Sequence, residues 1–112
     1  MATIFTRIIK GEIPCYKIYE DENYFAFLDI NPLQKGHTLV IPKKEDDYIF
    51  NLDDATYSGL MMTAKKIAAA IKESTNCKRV GVTVLGMEVP HVHIHLVPMN
   101  SEKDMLFSNP KM

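Results

Sequence analysis

The sequence predicts an α+β fold: a mainly antiparallel sheet with one long helix and a short amino-terminal helix. Three observations predict it. Aromatic and β-branched segments fill residues 16 to 41, a single 3.6-residue apolar periodicity runs through 53 to 74, and two further strand-like segments follow it. Strands first, one helix, then strands is the order of an α+β chain rather than of alternating βαβ units.

Taken in order, Thr3 to Lys10 places Ile4, Phe5, Ile8 and Ile9 at helical spacing, with Thr3 as N-cap and Gly11 as the stop. Residues 16 to 20 and 24 to 28 are aromatic and β-prone and are joined by the turn formers Asp21, Glu22 and Asn23, which predicts a hairpin. Asn31-Pro32 breaks the chain, Gly36 follows, and His-Thr-Leu-Val-Ile at 37 to 41 predicts a third strand closed by Pro42. From Asp53 to Ser74, Tyr57, Leu60, Met61, Ala64, Ile67, Ala68 and Ile71 recur at steps of three and four, a helix capped by Asp53. Lys65, Lys66 and Lys72 fall off that stripe and mark a solvent face. Two more strands, Arg79 to Val84 and His91 to Val97, end at Pro98. The tail from about 100 to 112 has no periodicity and predicts no packing element.

A chain of 112 residues with 46% hydrophobic content is enough for one domain spanning 1–112 with a core of its own. Its formal net charge of −1 gives no global field for nucleic acid or an anionic membrane, so any affinity for phosphate must be local. Cys15 and Cys77 form no CxxC pair, which argues for reduced thiols rather than a zinc ribbon or a disulfide. No apolar run approaches membrane-spanning length and the first residues do not read as a leader, so the expected location is the cytoplasm.

The chemistry concentrates in His-Val-His-Ile-His at 91 to 95, which holds three of the four histidines. Strand alternation puts His91, His93 and His95 on one face and Val92, Ile94 and Leu96 on the other. A metal could collect imidazoles, but three successive side chains on one strand face diverge little and seldom close round an ion. The better reading has one neutral imidazole attacking an electrophile while its neighbours orient it and hold an anion, which suits phosphorus. Gly86, in the preceding Gly-Met-Glu-Val-Pro, allows backbone N–H groups to approach such an anion.

The pattern His-φ-His-φ-His-φ-φ, with φ apolar, resembles the signature of the histidine triad superfamily. The chain is similar to its nucleotide-binding branch over Ile9-Lys-Gly-Glu-Ile-Pro14, Tyr19-Glu-Asp-Glu, Ala26-Phe-Leu-Asp29-Ile-Asn-Pro32 and Gly36-His-Thr-Leu-Val-Ile-Pro-Lys-Lys44. The resemblance implies a HIT-like fold and a homodimer. It also implies hydrolysis of a purine nucleoside phosphoramidate or related nucleotidyl bond through a nucleotidyl-histidine, with no obligatory cofactor; zinc capture by the histidines is not favoured. It makes His93 the nucleophile, gives His91 and His95 contact with the phosphate and its hydrogen bonds, and sets His37 beside the triad from the neighbouring strand. Asp29 would receive the ribose hydroxyls, and Phe5, Ile8, Ile13, Phe27 and Ile30 would sandwich the purine. Two positions depart from the branch. Glu88 stands where a Ser or Thr assists the leaving group, and Thr83 is the only polar substitute for an upstream Asn. The alternatives are a dinucleoside polyphosphate hydrolase, or a nucleotide-binding module with little catalysis.

Overall fold

Side-chain alternation decides the layering of this chain. In β2 (Tyr24–Leu28) and β3 (Thr38–Pro42), Ala26 and Val40 point to one side of the sheet, while Phe25, Phe27, Leu39 and Ile41 point to the other. Each set needs its own cover. The computed structural model describes residues 3–112 and shows what supplies it. The long helix α2 (Asp54–Thr75) lays Leu60, Ala64, Ile67 and Ile71 on the first side. The short helix α1 (Ile4–Ile9) brings Phe5 and Ile8 to the second. Each Leu, Ile or Phe buried in this way contributes roughly 1.5–3 kcal/mol relative to exposure.

The sheet has five antiparallel strands in the order β1-β2-β3-β5-β4, with β1 at Lys17–Glu20, β4 at Arg79–Thr83 and β5 at Ile94–Met99. Both helices begin where the caps predict. The Thr3 hydroxyl accepts from the Thr6 N–H, and the Asp53 carboxylate accepts from the Thr56 N–H. α2 ends on Asn76 in the left-handed conformation, φ 56°. No helix among the described residues is long and apolar enough to cross a membrane. Cys15 and Cys77 are free thiols.

Three sequence expectations are corrected. The last strand begins at Ile94 rather than His91, because its partners run out: the β3 ladder ends at Val40 opposite Ile94, and β4 ends at Thr83 opposite His95. Residues 91 to 93 are held outside the ladder by other bonds, with a bend at His91 and the Val92 N–H on the Asp46 carbonyl at 2.7 Å. Pro98 lies inside β5 instead of closing it, whereas Pro42 is the last residue of β3. Beyond Leu96 the β3 side of β5 is open, and a residue without an N–H is tolerated there. The tail is built, not featureless. Ser101 and Asp104 form a capping box on a 3-10 turn at Glu102–Met105, and Met112 N–H bonds the Pro32 carbonyl at 2.9 Å. A second 3-10 turn, at Ile49–Asn51, leads into α2.

Candidate active site

The side of the sheet that α1 covers only in part holds a cleft of about 550 Å³. His93, His95, His37 and Asp29 line it, with Phe5, Ile8, Ile13, Phe27 and Ile30 as apolar wall and Gly86 and Glu88 at its loop end. All five residues assigned to the purine pocket therefore share one cavity, although only Ile30 is largely exposed and Phe5, Ile8 and Phe27 also serve the core. Thr83 faces His95 across the β4–β5 ladder but does not line the cleft. Another depression, of about 580 Å³ along the β1–β2 hairpin, holds no imidazole and no buried polar side chain.

The four histidines are buried, and their hydrogen bonds determine where each proton sits. Pro42 offers His91 only a carbonyl, 2.8 Å from Nε2, so His91 donates there. Its Nδ1, 2.8 Å from the Thr3 hydroxyl, must then accept. The same hydroxyl accepts from Thr6 N–H, and the Thr6 hydroxyl donates to Glu45, so one network ties the start of α1 to the triad. With both nitrogens engaged, His91 is fully buried and does not line the cleft. Its carbonyl faces inward and accepts from His93 Nδ1 at 2.7 Å. That bond leaves the hydrogen of neutral His93 on Nδ1 and a free lone pair on Nε2. Phe5 sets its ring edge-on to His93, with centroids 5.0 Å apart.

A second chain of bonds fixes His95. Leu33 N–H donates to His37 Nδ1 at 3.0 Å, so His37 carries its hydrogen on Nε2 and gives it to His95 Nδ1, also at 3.0 Å. His95 must then hold its own hydrogen on Nε2, as a donor. Asp29 divides its carboxylate: Oδ1 accepts from Asn31 N–H at 2.8 Å, making a turn, while Oδ2 lies 3.6 Å from His37 Nε2. The turn and functional readings of Asp29 thus apply to different oxygens.

Burial disfavours the charged form of His37, His91 and His95. His95 is pushed down from 6.5 to about 4, first by desolvation, then by the charges of His93 and His37. His37 is lowered by burial against the opposing pull of Asp29, and His91 by burial against its bond to Pro42 and the charge of Glu45. Neutral donors at His37 and His95, rather than a row of imidazolium ions, stand beside Nε2 of His93 in this site.

Metal-ligating atoms do converge, but not along the triad. Asp29, His37 and His95 offer one oxygen and two nitrogens within 4.8 Å of one another, from neighbouring strands rather than successive positions of one strand. His37 Nε2 and His95 Nδ1 already bond each other at 3.0 Å, so an ion held by those two atoms would have to break the bond that orients His95.

Two residues of the tail enter the cleft, where the sequence predicted no packing element. Phe107 packs edge-on to His95, with centroids 4.9 Å apart, and Lys111 lines the same cavity. The Ser-x-x-Asp spacing at 101 to 104 was the one available sign that the tail is ordered.

The family model described as HIT domain matches residues 10–102. The adenosine 5'-monophosphoramidase of Saccharomyces cerevisiae is 41% identical over 106 residues, covering 94% of this chain and 67% of the yeast protein. An uncharacterized HIT-like protein of Borreliella burgdorferi is 42% identical over 102 residues, covering 85% of this chain and 73% of its own. The crystal structure of a HIT family protein from Bacillus anthracis superposes with a TM-score of 0.85 at 41% identity, covering 97% of this chain and 81% of that one.

Proposed function

The chain belongs to the HIT domain family, and from that premise we propose that it hydrolyses a purine nucleoside phosphoramidate, or a related nucleotidyl bond, through a covalent bond to His93. The observation that carries the reading is the 2.7 Å bond from His93 Nδ1 to the His91 carbonyl, which in the neutral ring puts the hydrogen on Nδ1 and the lone pair on Nε2. Nε2 attacks the α-phosphorus, the bond from phosphorus to the amine nitrogen breaks, and the amine leaves with a proton from water at the mouth of the cleft. The imidazolium formed in the nucleotidyl-histidine keeps its Nδ1–H on the same carbonyl, which stabilises the developing charge. His95, donating from Nε2, holds a non-bridging oxygen. Water then attacks phosphorus and gives its proton to the hydroxide left by the first step, the bond to Nε2 breaks, and the nucleoside monophosphate departs.

Asp29 takes the ribose hydroxyls with Oδ2, and the apolar wall takes the base. The activity named for the yeast relative supports this substrate class. The same reading includes a homodimer: β4 lies at the sheet edge with Val82 53% exposed, the kind of apolar edge that a second copy covers. Light scattering would check it.

Glu88 favours an amine over a second nucleotide as leaving group, since its exposed carboxylate lines the loop end of the cleft and repels a polyphosphate. Glu88 is also the observation behind the second reading, a binding module with little catalysis. Denaturing mass spectrometry after mixing with an adenosine phosphoramidate separates the two. An adduct of one nucleotide mass, absent from His93→Ala, supports the enzyme. Binding without adduct or turnover supports the module.

A further inference from the structure

We propose that Lys111, at the end of the chain, is the cation that draws the nucleotide's phosphate into the cleft. This rests on the nucleotide reading above and assigns the charge that reading needs.

The cleft is otherwise poor in positive charge. Among the described residues that line it, Lys111 is the one lysine or arginine, against the carboxylates of Asp29 and Glu88. The imidazoles bind through neutral donors, and a formal net charge of −1 provides no general attraction for an anion. A phosphate entering such a cavity without a cation would lose hydration with little in return.

The tail is built to deliver the ammonium. Phe107 packs its ring against His95, with centroids 4.9 Å apart, and against His37, 6.3 Å apart. Lys111 Nζ lies over that ring, 5.4 Å from its centroid, and donates to the Phe107 carbonyl at 2.7 Å. Met112 N–H, bonded to Pro32, straps the last residue to the loop that follows Asp29. One ammonium hydrogen is used by the carbonyl, and two remain for phosphate oxygens. The charge already reaches the site, since it contributes to holding both His37 and His95 down. An exposed ammonium at the border of the cleft is worth about tenfold in affinity for a phosphate and nothing for an uncharged ligand.

The test is calorimetric titration of the full chain, Lys111→Gln and Lys111→Arg with adenosine monophosphate and with adenosine, at low and at near-physiological salt. The expected result for Lys111→Gln is about tenfold weaker binding of the monophosphate with a shallower salt dependence, and adenosine binding within about twofold of the parent. Lys111→Arg should keep most of the monophosphate affinity. If Lys111→Gln binds the monophosphate like the parent, or loses adenosine equally, the assignment of Lys111 is overturned while the nucleotide site stands. If the parent chain binds neither ligand, the nucleotide reading itself fails and takes this proposal with it.

Discussion

Mild acid should destabilise this protein before its carboxylates titrate, and the structure sets the size of the effect. His95 has an ordinary value of 6.5 and is held at about 4 in the fold, chiefly by burial. Between those values the unfolded chain takes up a proton that the folded chain refuses, so the unfolded state binds more protons and stability falls as pH falls. The contribution is complete above about pH 6.5 and is lost by about pH 4. At about 1.4 kcal/mol per pH unit, the part lost from His95 between about pH 7 and pH 4.5 is roughly 2.5 kcal/mol. His37 and His91, lowered by the same cause, add to it with the same sign. Glu20, Asp21, Glu45 and Asp53 are also lowered, but from carboxylate values of 3.8 to 4.5, so they act mostly below this window. Urea titrations across the window would show the midpoint falling by about 1–2 M, given typical slopes for a small domain. His95→Gln should shrink the drop by about 2.5 kcal/mol. A parent whose stability is flat from pH 7 to 4.5, or a His95→Gln variant with an unchanged drop, would refute the neutral, desolvated imidazoles on which the mechanism depends.

Further outcomes follow from single contacts. Thr3→Val removes both the cap on α1 and the donor to His91 Nδ1, and should cost about 1–3 kcal/mol in a denaturant titration. Turnover should fall with it, and Thr3→Ser should restore both. Leu60→Ala empties a fully buried position of α2 and should cost about 2–5 kcal/mol, while kcat/KM per folded molecule stays near that of the parent. Gly86→Ala forces an alanine to φ 68°, at about 1–2 kcal/mol, although its Cβ meets the Asp47 carbonyl oxygen at a tolerable 3.4 Å. A much larger loss would show that the loop is tighter than this spacing implies.

What was legible in the sequence was legible for local reasons. Period-two and period-3.6 patterns report which side of an element is apolar, so the hairpin, the long helix and the split between the triad and Val92, Ile94 and Leu96 were readable without coordinates. Caps at Thr3 and Asp53 were readable because a capping oxygen acts within three residues. The triad and its resemblance to a known family pointed to His93 and to the residues that share its cleft. Strand limits were not readable, because a strand ends where its partner does. Pro98 looks like a stop until the sheet shows an open side.

The histidines show the division most clearly. By itself the sequence determined that three imidazoles share one face of an apolar-backed segment, since alternation is a property of the chain. Only the tertiary structure decided what each ring does. The proton positions depend on the Pro42 and His91 carbonyls, the Leu33 N–H and the Thr3 hydroxyl, partners that lie from 2 to 88 residues away from the ring they bind. These bonds lock His91 away from the cleft, bare Nε2 of His93 and aim the hydrogen of His95. The tail followed the same rule. Phe107 and Lys111 carry no periodic signal, and they acquire a role because folding returns the chain end to the cleft.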